Sequence, residues 1–252
     1  MEITYGSIEQ SKQHVRNLIT SARAANPNYR VIDIGGVAGG GWSNDLCDLI
    51  VDINANITSQ KALAVDICNP NDWLQLFAIV KQHGLFDYAI CTHTLEDVYD
   101  PILALQFLPK IAKAGIITMP SITTELSRPE NPNWLGYIHH RWLFDQVDGE
   151  LLIAPKLSFL ETLVGNSVKF DENRFEIQYS WQDILPYRQF MDNYLGPNAT
   201  TVVARYKALI TLERRGLLPD SVGSWLHRLT RGSMLGQRLV RLFRRICNPP
   251  KK

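Results

Sequence analysis

Three aspartates are the first residues in this chain whose type and spacing suggest chemistry. Asp33 lies in Val31-Ile-Asp-Ile-Gly-Gly-Val-Ala-Gly-Gly-Gly-Trp42, Asp52 follows it by 19 residues at the end of Asp48-Leu-Ile-Val-Asp52, and Asp66 ends Ala62-Leu-Ala-Val-Asp66. A glycine cluster after an apolar run lets the backbone approach a ligand closely, because no Cβ intrudes and positive φ is allowed. A carboxylate about twenty residues further on is where a doubly wound fold accepts hydrogen bonds from both ribose hydroxyls of an adenosine. Such bonds are charge-assisted and stronger than neutral ones. Asp66 then falls within reach of an adenine amino group, with Ile67 beside it to pack on the ring. Each aspartate taken alone reads equally well as a helix cap or a turn residue. Their recurrence at three successive strand ends favours a nucleoside-shaped cleft.

A second set of reactive side chains lies downstream. His93 comes just after an apolar run, and the stretch Glu125 to Trp142 carries His139, His140, Arg128, Arg141, Trp134 and Tyr137. Histidine exchanges a proton near neutral pH, arginine holds phosphate or carboxylate, and aromatic faces suit a sugar or a planar ring. His93, His139 and His140 are therefore the candidate catalytic groups, and Arg128, Trp134, Tyr137 and Arg141 the candidate acceptor contacts. His93 reads equally as a cap for the helix that follows. Adjacent residues point in different directions in either regular structure, so His139 and His140 are not expected to share one task. His93, Glu96, His139 and His140 are all ligand types for a metal, but no HxxxH or CxxC spacing supports one, and no metal is predicted.

The elements that must position these residues alternate along the chain. A helix is predicted from Ser7 to Ala25. Five apolar strands follow, over Tyr29 to Ile34, Asp48 to Asp52, Ala62 to Asp66, Tyr88 to Cys91 and Gly115 to Met119. Between them lie a single turn at Asn44 to Cys47 and helices at Asn71 to Gln82 and Pro101 to Ala114. Leu151 to Ala154 and Phe175 to Tyr179 complete seven strands, the last read as antiparallel at the end of the sheet. Near-continuous apolar strands separated by helices indicate an α/β fold, doubly wound, with a mostly parallel sheet covered on both faces. The segment 122–148 leaves the fifth strand at the same sheet edge as the glycine turn. It is read as a lid, since long loops in compact domains tend to carry function.

These segments together resemble the class I SAM-dependent methyltransferases. Asp33-Ile-Gly-Gly-Val-Ala-Gly39 is similar to that family's first motif, Phe86-Asp-Tyr-Ala-Ile-Cys-Thr-His-Thr-Leu-Glu-Asp97 to its fourth-strand segment, and Gly115-Ile-Ile-Thr-Met-Pro-Ser121 to its fifth. The likeness covers roughly Tyr29 to Ser121. Val37 stands where the family loop usually has glycine, and Asp97 where it frequently has histidine. The resemblance implies S-adenosylmethionine as cofactor, with Asp33, Gly35, Gly36 and Gly39 lining its methionine portion, Asp52 the ribose, and Asp66 and Ile67 the adenine. It implies methyl transfer to an oxygen or nitrogen of a small-molecule or glycan-like acceptor. The alternative is a silent scaffold or partner subunit of the same fold.

Composition sets the outer limits. A chain of 252 residues with 45% hydrophobic and 20% charged residues is long enough to bury a sizeable core. Its net charge of +1 hides a division: residues 214–252 carry ten Lys/Arg and one acid, a net of +9, leaving 16 basic and 24 acidic groups, a net of −8, in the rest. The expected division is a body of residues 1–213 and a basic tail of residues 214–252. In the tail Leu235, Leu239, Leu242, Phe243 and Ile246 form a stripe, with Arg238, Arg241, Arg244 and Arg245 mainly opposite. Such a helix either docks on the acidic body or lies on an anionic membrane surface. The acidic body argues against nucleic acid. Four dispersed cysteines read as structural thiols of a reducing compartment. The beginning of the sequence lacks a signal pattern and no stretch reaches spanning length, so a cytoplasmic location, peripheral to a membrane at most, is expected.

Overall fold

The computed structural model describes residues 2–37, 39, 41–54, 61–164, 168–190 and 199–214. The chain starts with strand β1 (Glu2–Gly6) and helix α1 (Ile8–Ala25). Ser7 launches α1 with a reciprocal cap: the Gln10 amide donates to Ser7 Oγ, and the Ser7 amide donates to Gln10 Oε1. Then come β2 (Val31–Ile34), β3 (Leu49–Asp52), β4 (Ala62–Ala64), α2 (Trp73–His83), β5 (Phe86–Thr92), α3 (Pro101–Ile111) and β6 (Ala112–Pro120). Asp100 caps α3 by accepting from the Ile102 and Leu103 amides, with Pro101 in the first turn, where its missing N–H costs nothing. The remainder comprises α4 (Ile122–Leu126), β7 (Trp142–Val147), β8 (Glu150–Pro155), α5 (Leu160–Val164), β9 (Glu176–Gln182), β10 (Tyr187–Gln189) and α6 (Ala199–Arg214).

Seven strands form one sheet in the order β1-β9-β6-β5-β2-β3-β4, with β9 antiparallel to both neighbours and every other pair parallel. The two-residue period of each strand divides its side chains between two faces. Val31, Ile50, Tyr88, Ile90 and Ile116 pack with Val15 and Ile19 of α1. Ile32, Ile34, Val51, Ala89, Cys91 and Ile117 pack with Trp73 and Leu76 of α2 and Leu105 and Leu108 of α3. The sheet is therefore covered on both faces, as its apolar strands predict. β2 leads outward through β3 to β4, whereas β5 leads the other way to β6. The order reverses between β2 and β5, and a crevice opens there at the carboxyl ends of the strands.

Three expectations change. The seventh strand is β1, so β9 lies one place in from the edge; Glu2-Ile-Thr-Tyr-Gly is short and only half-buried, which weakens its signal. Leu151 to Ala154 belong to β8, which pairs with β7 and β10 in a separate three-stranded sheet. That sheet packs with α4 and α6 in a second core built on Leu126, Leu143, Leu152 and Tyr206. Finally, the segment read as a lid starts in the wholly buried α4 and ends in β7, leaving 127–141 as its irregular part. Cys47, Cys68 and Cys91 are free and buried. The stripe and arginines of the basic tail, with Cys247, lie outside the described residues. No helix among the described residues is long and apolar enough to cross a membrane.

Candidate functional site

The site is built at the reversal point. β2 ends at Ile34, and Gly35 turns the chain with φ +80°, its amide bonded to the Val51 carbonyl of β3 at 2.7 Å. A Cβ on Gly35 would come within 2.2 to 2.8 Å of the Thr94 side chain, and one on Gly36 within 2.3 Å of Asp33 Oδ2. Gly39 takes the second left-handed position, φ +84°, and its amide donates to Asn44 Oδ1 at 2.9 Å. Asn44 ties the loop together by donating to the Val37 carbonyl at 2.9 Å. Val37 does not have positive φ and is 66% exposed, so a β-branched residue sits there without backbone strain. Asp33 lies under this turn, 2% exposed, where Ser43 Oγ donates to its carboxylate. Burial pushes its pKa up to about 6, against the lowering effect of the Ser43 bond.

Two cavities flank Gly35 and His93, which line both. The first, of about 290 Å³, is walled by Asp33, Gly36, Val37, Trp42 and Thr118. Thr118 is 1% exposed, and its hydroxyl has no hydrogen-bond partner among the described residues, which is costly unless something in the cavity meets it. The second, of about 360 Å³, is walled by Asp52, Asp66, Ile67, Thr94 and Asp97. Asp52 Oδ1 accepts from the Asn54 amide at 2.7 Å and Asp66 Oδ1 from the Cys68 amide at 2.8 Å. These carboxylates thus shape their own turns and line the cavity as well. Volumes of this size suit a small-molecule ligand. Of the predicted cofactor contacts, Asp33, Gly35, Gly36, Asp52, Asp66 and Ile67 all border the paired cavities, and Gly39 lines neither.

His93 forms the partition between the cavities. Its own backbone is left-handed, φ 49°, and its amide donates to the Thr118 carbonyl at 2.8 Å. The ring is thereby set between two carboxylates, with Nε2 2.7 Å from Glu176 Oε2 and Nδ1 3.3 Å from Glu96 Oε1. Glu96 and Glu176 are 1% and 0% exposed. Burial alone would drive the proton off His93, but the hydrogen bond to Glu176 and the nearby Glu96 carboxylate outweigh it and raise the pKa to about 9. His93 is therefore a cation at neutral pH, held in place rather than free to accept a proton. Glu176 escaped the sequence reading; its signal was a lone acid at the head of a strand that alternates apolar and polar residues.

The 127–141 stretch lies to one side, and Arg128, Trp134, Tyr137, Arg141, His139 and His140 line neither cavity. Arg128 Nη2 binds Glu161 Oε2 at 3.3 Å and the Trp134 indole donates to Glu130 at 2.7 Å. The Arg141 amide donates to the Glu96 carbonyl at 2.7 Å, which joins this stretch to the His93 partition. His140 is nearly buried, with Nδ1 2.7 Å from Glu125 Oε1, and the Tyr137 ring stacks 4.8 Å from it. His139 is exposed, yet both imidazoles turn toward Asp97. The two rings, not expected to share one task, come near the same carboxylate because 137–140 is an irregular turn, where the alternation of helix or strand does not apply.

The sheet order and its crevice define a Rossmann-like α/β protein. No protein-family model matches the chain, and no curated protein sequence matches it. Among solved structures it is similar to the N-terminal domain of EvdMO1 with SAH bound, at 11% identity and a TM-score of 0.25, over 66% of this chain. The chain spans 65% of the length of that structure.

Proposed function

We propose that the chain binds S-adenosylmethionine across the two cavities and transfers its methyl group to an oxygen or nitrogen of a small-molecule or glycan-like acceptor. The observation that carries this reading is the convergence of the glycine turn, Asp52 and Asp66 on paired cavities that meet at Gly35 and His93. The group fits the residues present. Gly35 and Gly36 line the first cavity while packing too closely on Thr94 and Asp33 to carry a Cβ, and the Thr118 hydroxyl on the same wall has no polar partner among the described residues. In this reading Asp52 accepts from the ribose hydroxyls, Asp66 from the adenine amino group, and Ile67, on the same cavity wall, packs on the ring. Once bound, the cofactor supplies an electrophilic methyl carbon on a sulfonium.

The chain's own contribution is to bind, orient and balance charge. The second cavity is lined by Asp52, Asp66 and Asp97 against the one cation of His93, and this net negative lining suits a positively charged ligand. Because His93 already holds its proton at neutral pH, abstraction of an acceptor proton is not its task there. Its role is to fix the partition against which both partners are aligned, and positioning of this kind lowers the barrier to displacement. In this reading the half-buried Trp134 and Tyr137 and the exposed Arg141, which line neither cavity, meet the acceptor outside the cleft.

Calorimetric titration with S-adenosylmethionine tests the reading. Saturable heat is expected, with Asp52→Asn weakening binding by roughly 10- to 100-fold, the cost of one charge-assisted bond. Absence of heat from well-folded protein would remove the cofactor assignment.

A further inference from the structure

We propose that Asp97, His139 and His140 form a binding site for one divalent first-row metal ion of the Zn²⁺ class, at the rim of the second cavity. Asp97 Oδ1 lies 3.8 Å from His139 Nε2 and 3.6 Å from His140 Nε2, and all three donor atoms fall within 4.8 Å of one another. These gaps are too wide for hydrogen bonds. Zinc bonds of about 2.0–2.1 Å in a tetrahedral arrangement put neighbouring donors roughly 3.4 Å apart, only a few tenths of an ångström closer than the two separations from Asp97.

The surroundings prepare one donor for this task. His140 Nδ1 is 2.7 Å from Glu125 Oε1, and Lys156 Nζ donates to Glu125 Oε2 at 2.6 Å and to the Tyr137 carbonyl at 2.7 Å. Glu125 is 1% exposed and unable to swing away into water. A carboxylate on one ring nitrogen fixes the tautomer that leaves the lone pair on the other, the usual second layer around a metal-bound histidine. The Nε2 lone pair of His140 then faces the Asp97 carboxylate across a gap that a cation fills. His139 aims its own Nε2 at the same oxygen, and the two rings meet edge to face with centroids 4.5 Å apart.

Two imidazoles and one carboxylate favour zinc, cobalt or iron over calcium or magnesium, which prefer all-oxygen sets. Three protein ligands also leave a coordination position open to water or a substrate oxygen. Asp97 and His139 are 44% and 59% exposed, so an ion has a way in, and Asp97 is itself part of the second cavity's wall. The site stands on its own residues, independent of whether the cleft takes S-adenosylmethionine.

The test uses the full chain after treatment with a chelator, titrated with Zn²⁺ by calorimetry and with Co²⁺ by visible absorption. One ion per chain is expected, with Co²⁺ bands of a low-coordinate nitrogen–oxygen site. Asp97→Asn and His139→Gln, both at exposed positions, should each weaken binding by about tenfold or more while circular dichroism stays unchanged. Failure to bind at stoichiometric metal would overturn the proposal. So would one-site binding of equal strength in both variants, which would place the ion on other side chains.

Discussion

Asp33 and His93 both line the first cavity with Gly35, and the fold moves both pKa values upward with opposite consequences for stability. Asp33 rises from 3.8 to about 6, chiefly by burial. Between those values the folded chain keeps a proton that the unfolded chain has lost, so this group's contribution falls as pH climbs from about 4 to 6, and the full penalty stands above 6. His93 rises from 6.5 to about 9, where the hydrogen bond to Glu176 and the nearby Glu96 carboxylate overcome the effect of burial. Its stabilisation is complete below 6.5 and is lost as pH rises through about 9. Asp33→Asn keeps an oxygen to accept from Ser43 and removes the buried charge. It should melt above the wild type at pH 7.5, with the gain vanishing near pH 4, while ligand affinity falls. His93→Gln should melt lower by on the order of 5 °C at pH 6.5, because two carboxylates lose their cation, with the deficit shrinking above pH 9. Thermal melts from pH 4 to 10 decide both; a pH-independent difference for either variant would refute its assigned ionisation.

The glycine turn is the element on which the cleft depends, and its left-handed positions differ in what surrounds them. Gly35→Ala adds backbone strain at φ +80° and drives a Cβ into the Thr94 side chain, whereas Gly39→Ala meets strain alone, with nothing within 4 Å. Gly39→Ala should cost about 1 kcal/mol, and Gly35→Ala about 2–4 kcal/mol with loss of ligand binding; denaturant unfolding and titration separate them, and equal losses would count against the crowding at Gly35. Elements of this kind were legible in the sequence because local physics specifies them. Continuous apolar runs gave β2, β3, β5 and β6, and a strand ending in glycine announced the turn. What stayed hidden was set by distant partners. β1 is a strand only because β9 lies beside it. β8 has the same apolar pattern as the main-sheet strands, yet its partners β7 and β10 belong elsewhere. Glu176 meets His93 across 83 positions of sequence, and the approach of His139 and His140 to Asp97 depends on an irregular turn that no periodicity encodes.

Over the whole molecule the dominant feature is the segregation of charge. Beyond Leu217 the sequence holds eight Lys/Arg and one acid, so a chain ending there carries a net charge of −6 where the full chain carries +1. Near an anionic bilayer each basic residue contributes about 1 kcal/mol, and the attraction decays within a Debye length of roughly 8–10 Å. The apolar stripe from Leu235 to Ile246 would add burial in the interface. The full chain is therefore expected to sediment with vesicles containing anionic phosphatidylserine at low ionic strength, and to be released as salt is raised. The acidic body of a chain ending at Leu217 should be repelled and stay in the supernatant. Neutral phosphatidylcholine vesicles separate the contributions, since retention there would make the apolar stripe the dominant anchor. Equal sedimentation of the full and shortened chains would rule the tail out as the membrane contact and leave its arginines to answer the −8 of the body.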